Sequence, residues 1–218
     1  MFNLVIKDIV IQKKNFLLTF FYTVFFSFTF SSFKPIGLGL YVLAPIVVSF
    51  MFISNAANYD DKNKCELVLN SLPIKRADIV ISKYISIFLY VIISITYSVL
   101  IGFIGKTAGL SIYNISISSF NIISVLTSIC IFSCIFFPLY FKFGIIKIQM
   151  LILIPFMLIF SLTVLAIKYA IENPNTILVQ KLTNTSIFTL NFLALVICLI
   201  ILLISLMISI RIYKNREF

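Results

Sequence analysis

The chain has 218 residues, of which 61% are hydrophobic and 11% charged, and its mean hydropathy is +1.16. Soluble domains are roughly half apolar and a quarter charged, so this composition excludes a large soluble domain and describes an integral membrane protein. The net charge of +10 does not point to nucleic acid, because the bases flank apolar segments and form no basic stripe interleaved with stacking aromatics.

A membrane span needs about 20 mainly apolar residues, and the chain has room for roughly six with modest loops. Long Ile, Leu and Phe runs without alternation favour helices, which satisfy their own backbone hydrogen bonds, over a β-barrel. The expected fold is therefore all-α: one transmembrane domain over 1–218, with an interfacial N-terminal amphipathic helix and six transmembrane helices.

Residues 1–14 are too polar and too short to span. As a helix they place Phe2, Val5, Ile6 and Ile9 on one side and Asn3, Lys7 and Lys14 on the other, the pattern of an entry helix lying in the interface. The apolar run that follows is long and lacks a small-x-small cleavage site, so it reads as a retained span rather than a signal peptide. The spans fall near 15–33, 37–58, 84–105, 120–141, 148–167 and 187–210. Pro45 and Pro155 are expected to kink the second and fifth, and 168–186 is the longest outer connection.

Between the second and third spans lies one polar interruption, 59–84. It holds Lys62, Lys64, Lys75, Arg76 and Lys83, five of the seventeen bases, and Asp60, Asp61, Glu66 and Asp78, four of the seven acids. At 3.6 residues per turn Cys65, Val68, Leu69 and Leu72 share one face, while Lys62, Asn63, Glu66 and Asn70 share the other. Pro73 should end this short amphipathic helix by driving Leu72 to extended geometry. A plain connector needs only a few residues and no apolar stripe.

Counting bases on alternate sides of six spans gives thirteen against four. By the excess of Lys and Arg in cytoplasmic loops, both termini and the hairpin are expected in the cytoplasm.

No Asp, Glu, Lys or Arg falls at the centre of any expected span, and there is no His. The usual parts of a proton-coupled carrier or an intramembrane metalloenzyme are therefore missing. Cys130 and Cys134 share a helix face without another soft ligand nearby, so they read as small hydrophobes rather than half a metal site. Gly105-Lys106-Thr107 is not a nucleotide loop, since GxxxxGK[ST] needs glycine where Leu100 stands and no strand precedes it. No catalytic, cofactor or metal residue emerges, and an energy source would have to lie in another chain.

Several stretches carry a resemblance: Tyr59-Asp60-Asp61-Lys62-Asn63-Lys64, Ser71-Leu72-Pro73-Ile74-Lys75-Arg76, Asp78-Ile79-Val80 and Ser82-Lys83-Tyr84. They resemble the segment between spans 2 and 3 of the small six-helix permeases of ABC-2 type transporters. The order of entry helix, six spans and short ends is also similar. Lys75, where Ser or Thr is usual, and Cys65, where an aromatic is common, depart from the pattern.

The resemblance implies an export permease in a bacterial plasma membrane, paired with a second membrane subunit, like or unlike itself, and with ABC ATPase subunits that bind the ATP and Mg. Residues 59–83 would form the coupling hairpin, with Lys62, Lys64, Glu66, Val68, Leu69, Leu72, Pro73, Ile74 and Arg76 meeting the ATPase. The subgroup it most resembles exports amphipathic peptides, such as the phenol-soluble modulins, or confers bacteriocin immunity. Hydrophobic or amphipathic cargo would pass Ser49, Ser54, Asn55, Phe156, Phe160, Ser161 and Thr163. The alternative is a non-transporting assembly or sensor protein whose hairpin docks a soluble regulator.

Overall fold

Where lipid replaces water, the backbone must pair within its own segment, and every regular element among the described residues is helical. The computed structural model describes residues 2–30, 39–109, 119–145, 148 and 187–216. The fifth expected span with Pro155, and the outer connection 168–186, lie outside them.

Helix α1 is Phe2–Ile11 and α2 is Lys13–Phe30. The break between them is pinned: the fully buried Gln12 side chain donates 2.8 Å to the Phe52 carbonyl, two helices further along. The face of α1 that is buried is Leu4, Val5 and Asp8, whereas Ile6 and Val10 are exposed. Of the expected apolar stripe, Val5 is on the inward face and Ile9 is half-buried, whereas Ile6 is turned outward. An acid can occupy the inward face because cations meet it there.

A π-helical turn, Gly39–Leu43, leads into α3, Ala44–Lys62. The expected kink at Pro45 is instead this widened turn. Pro45 stands in the first turn of α3, where a missing N–H costs little. Tyr41 from the π turn lies so close to Gly102 that a Cβ there would collide with its hydroxyl.

The chain then reverses. Lys64 takes the left-handed conformation (φ 48°, ψ 37°), α4 is the seven-residue helix Cys65–Ser71, and Leu72 is extended (φ −87°, ψ 153°) ahead of Pro73. Helix α5, Arg76–Thr107, has 32 residues. At 1.5 Å per residue it is about 48 Å long, well beyond a hydrocarbon core of about 30 Å. Its first turns, expected to belong to the polar hairpin, therefore continue the span without a break.

Helix α6 is Ser119–Phe143 with Pro138 inside it, and α7 is Ile187–Lys214. These two form the most extensive helix pair among the described residues. The buried stripe of α7, Cys198, Leu202, Ser205, Ser209 and Tyr213, recurs every three or four residues, while Phe192, Leu193, Ile200, Leu203, Ile204 and Met207 are exposed, as lipid-facing positions would be. Ser205 donates 2.9 Å to the Cys134 carbonyl, and the Tyr84 hydroxyl lies 2.8 and 2.9 Å from the hydroxyls of Ser205 and Ser209. Small hydroxyls thus tie helices together where apolar contact alone gives no preference over lipid.

Among the described residues, Leu40–Lys62, Arg76–Thr107, Asn121–Phe143 and Phe192–Lys214 are long and apolar enough to cross a membrane. The apolar stretch Asn15–Thr29 of α2, where the first span was expected, is shorter.

Candidate functional site

The hairpin presents two different faces. Outward lie Lys62, Asn63, Lys64, Val68, Ser71, Leu72, Pro73 and Lys75, with Val68 61% and Leu72 47% exposed. Inward, Leu69 is buried in the helical core and Ile74 packs against it. The expected single apolar face is therefore split: Leu69 anchors the hairpin to its own bundle and leaves Val68 and Leu72 for an outside surface. A seven-residue helix has one flank on the bundle, so neighbours in sequence separate between the two environments.

Behind the hairpin sit four charges. Lys83 Nζ donates 2.7 Å to Asp8 Oδ1 and pairs also with Asp60. Lys7 Nζ donates 2.9 Å to Asp60 Oδ1 and lies 3.3 Å from Asp8. Ser86 donates 3.1 Å to the other Asp8 oxygen, and the Tyr90 hydroxyl donates 3.4 Å to the Asp8 carbonyl. Two cations and two carboxylates balance, and every carboxylate oxygen has a partner. Such balance is what buried ions require, because each pays several kcal/mol in lost hydration. The cluster joins α1, the end of α3 and the start of α5, the two helices that flank the hairpin.

Asp61, one residue on, turns towards α6. It accepts 2.7 Å from the Ile145 backbone N–H and 3.5 Å from the Tyr140 hydroxyl. Glu66 faces inward as well and pairs with Arg216 at 3.2 Å, while Arg76 donates to the carbonyls of Lys214 (2.8 Å) and Arg216 (3.2 Å). Glu66 and Arg76 are thus bound within the chain, not turned to the outer face where the docking set was expected. Burial pushes the Glu66 carboxyl above its usual range, and the Arg216 guanidinium only partly offsets this. The Cys65 thiol is also pushed up, first by burial and then by the Asp60 carboxylate.

Of the expected cargo residues, Ser49 is fully buried and shares a 2.6 Å hydrogen bond with Ser94. It ties α3 to α5 instead of facing a passage. Ser54 is half-buried. Asn55 lines a cavity of about 620 Å³ together with Asn15, Asn58, Tyr59, Asp61, Lys62 and Ile145. Phe156, Phe160, Ser161 and Thr163 lie outside the described residues.

Sequence reasoning missed Asp8, Lys7 and Arg216. Lys7 and Asp8 lie within α1 and Arg216 just past the end of α7, and the sequence signal for the cluster was that Asp8 is the one acid before Asp60.

The chain matches the family described as ABC-2 family transporter protein over residues 3–214. No curated protein and no solved structure matches it.

Proposed function

The chain belongs to the ABC-2 transporter family, and from that premise we propose that it is the permease subunit of an exporter driven by a separate ABC ATPase seated on the outer face of the 62–75 hairpin. The observation that carries this reading is the placement of Val68 and Leu72 beside Lys62 and Lys64, exposed on a helix whose other side is anchored in the bundle. An exposed apolar pair on a braced polar hairpin suits a groove in a soluble partner. The rigid backing suits transmission of a push.

In this reading the hairpin and both termini face the cytoplasm of a bacterial cell, as the thirteen bases on that side favour. The permease works with a second membrane subunit, a copy or a relative. It exports hydrophobic or amphipathic cargo, peptide in the first instance, and carries no catalytic group or cofactor of its own. The amide-rich cavity around Asn15, Asn55 and Asn58 supports a polar entrance for a peptide backbone, which offers donors and acceptors that amides can meet.

Affinity purification of the chain from its own membranes tests the reading. A co-purifying protein with a nucleotide-binding loop, whose yield drops at least tenfold with Leu72→Asp, supports it. A partner without such a loop would favour the regulator-docking alternative and end the exporter proposal.

A further inference from the structure

Arg216, just past the end of α7, reaches the hairpin and α6. The Arg216 guanidinium donates 3.2 Å to Glu66 on α4 and 3.2 Å to the Phe141 carbonyl near the end of α6. The Arg76 guanidinium, at the start of α5, donates to the Lys214 and Arg216 carbonyls, which the end of α7 leaves without intrahelical partners. Two planar, multi-donor side chains therefore gather the docking helix and the ends of α5, α6 and α7, a role for which arginine is better suited than lysine.

The helices so gathered are already a unit. Tyr213 and Phe141 meet edge to face with centroids 5.2 Å apart, and both are buried. Cys134, on α6, accepts from Ser205, on α7. A displacement of Glu66 transmitted through Arg216 would therefore act on α6 and α7 together. Neither helix adjoins the hairpin in sequence, and the covalent path from α4 leads only into α3 and α5.

We infer that the Arg216 bridge between Glu66 and Phe141 is a positioning contact that conveys movement of the docking helix to the α6–α7 pair. The inference rests on the reading of α4 as the seat of an ATPase. A stabilising role is a weak explanation for the bridge: its side chains are 30% and 18% exposed, and partly exposed ion pairs contribute at most about 1 kcal/mol.

The test uses the complex purified with its ATPase and placed in lipid nanodiscs. A cysteine is introduced at Ser119, exposed at the far end of α6. Maleimide labelling of that thiol, read by mass spectrometry, is compared in Mg-ATP and Mg-ADP. The parent should label at rates differing severalfold between the nucleotides. Arg216→Gln should reduce the difference to less than twofold with the ATPase still bound, and Arg216→Lys, whose single ammonium can stand for the one guanidinium nitrogen that meets both Glu66 and Phe141, should retain more of it than Arg216→Gln.

A full nucleotide response in Arg216→Gln would overturn the inference. So would an ATPase-bearing parent with no response at Ser119, or loss of the ATPase from Arg216→Gln, which would make the arginine part of the docking face. A parent that brings down no ATPase fails earlier, at the proposed function, and takes the inference with it.

Discussion

Lys83 and Asp8, 75 residues apart in sequence, meet at 2.7 Å inside the bundle, with side chains only 8% and 1% exposed. This contact ties α1 into the frame that holds both ends of the hairpin. Asp60 and Lys7 complete the charge balance.

Breaking that pair from one side should be costly. Lys83→Met leaves Asp8 buried beside only Lys7, and Asp8→Asn leaves Lys83 facing Asp60 alone. Removing one partner of a buried ion pair typically costs about 3–5 kcal/mol, whereas replacing both can be nearly neutral. Thermal unfolding in detergent should show each single variant well below the parent and Asp8→Asn/Lys83→Met closer to it. Single variants that unfold with the parent would show that α1 is not locked.

Neighbouring residues of α4 should divide into folding and docking. Leu69→Ala removes a side chain from the core and should destabilise by about 2–5 kcal/mol. Leu72→Ala and Val68→Ala, both at exposed positions, should shift stability by no more than about 0.5 kcal/mol yet weaken ATPase retention. The two measurements, unfolding midpoint and partner yield, should separate cleanly. Equal effects of all three on stability would deny the split face.

That split marks how far periodicity can be read. Four of the expected spans were legible because long apolar runs without alternation have few solutions in lipid, and the turn at Leu72-Pro73 was legible because proline restricts its predecessor. Helical-wheel reasoning sends charges outward and apolar residues inward. It therefore passed over Asp8, which is stabilised inside by Lys83 and Lys7, and grouped Leu69 with Val68 and Leu72 on the docking face, whereas Leu69 is buried in the core. The placement of Asp8 depends on pairings across 53 and 75 residues, and no local window contains them. The Arg216 bridge, spanning 150 residues to Glu66, was hidden for the same reason.

The Cys65 thiol should react slowly. As the first residue of α4 it stands where a helix N-terminus would favour the thiolate, but the helix has only seven residues. Burial and the Asp60 carboxylate act the other way, and the net shift is upward. Maleimide labelling of Cys65 at pH 7 should be slower than that of an unperturbed cysteine, with its half-maximal point above the ordinary thiol value of about 8.5. Fast labelling at neutral pH, with a midpoint below that value, would contradict the half-buried placement of Cys65 beside Asp60.

Glu66 should make stability fall, not rise, as pH increases through its titration. Its folded carboxyl lies above the ordinary range because burial outweighs Arg216, so between the unfolded value of about 4.3 and the raised folded value the native state holds the extra proton. The slope of stability with pH is then negative in that window, and the contribution of the protonated group is lost above it. Glu66→Gln keeps an acceptor for Arg216 without the charge, so at pH 7 it should unfold at or above the parent's temperature, and below the window the two should coincide. Arg216→Gln at pH 7 instead leaves a half-buried carboxylate without its guanidinium and should unfold lower than Glu66→Gln, with a 1 kcal/mol gap appearing as about 2–4 °C. If the glutamate variant loses as much as the arginine variant, the Coulombic attraction outweighs burial and the sign assigned to Glu66 is wrong.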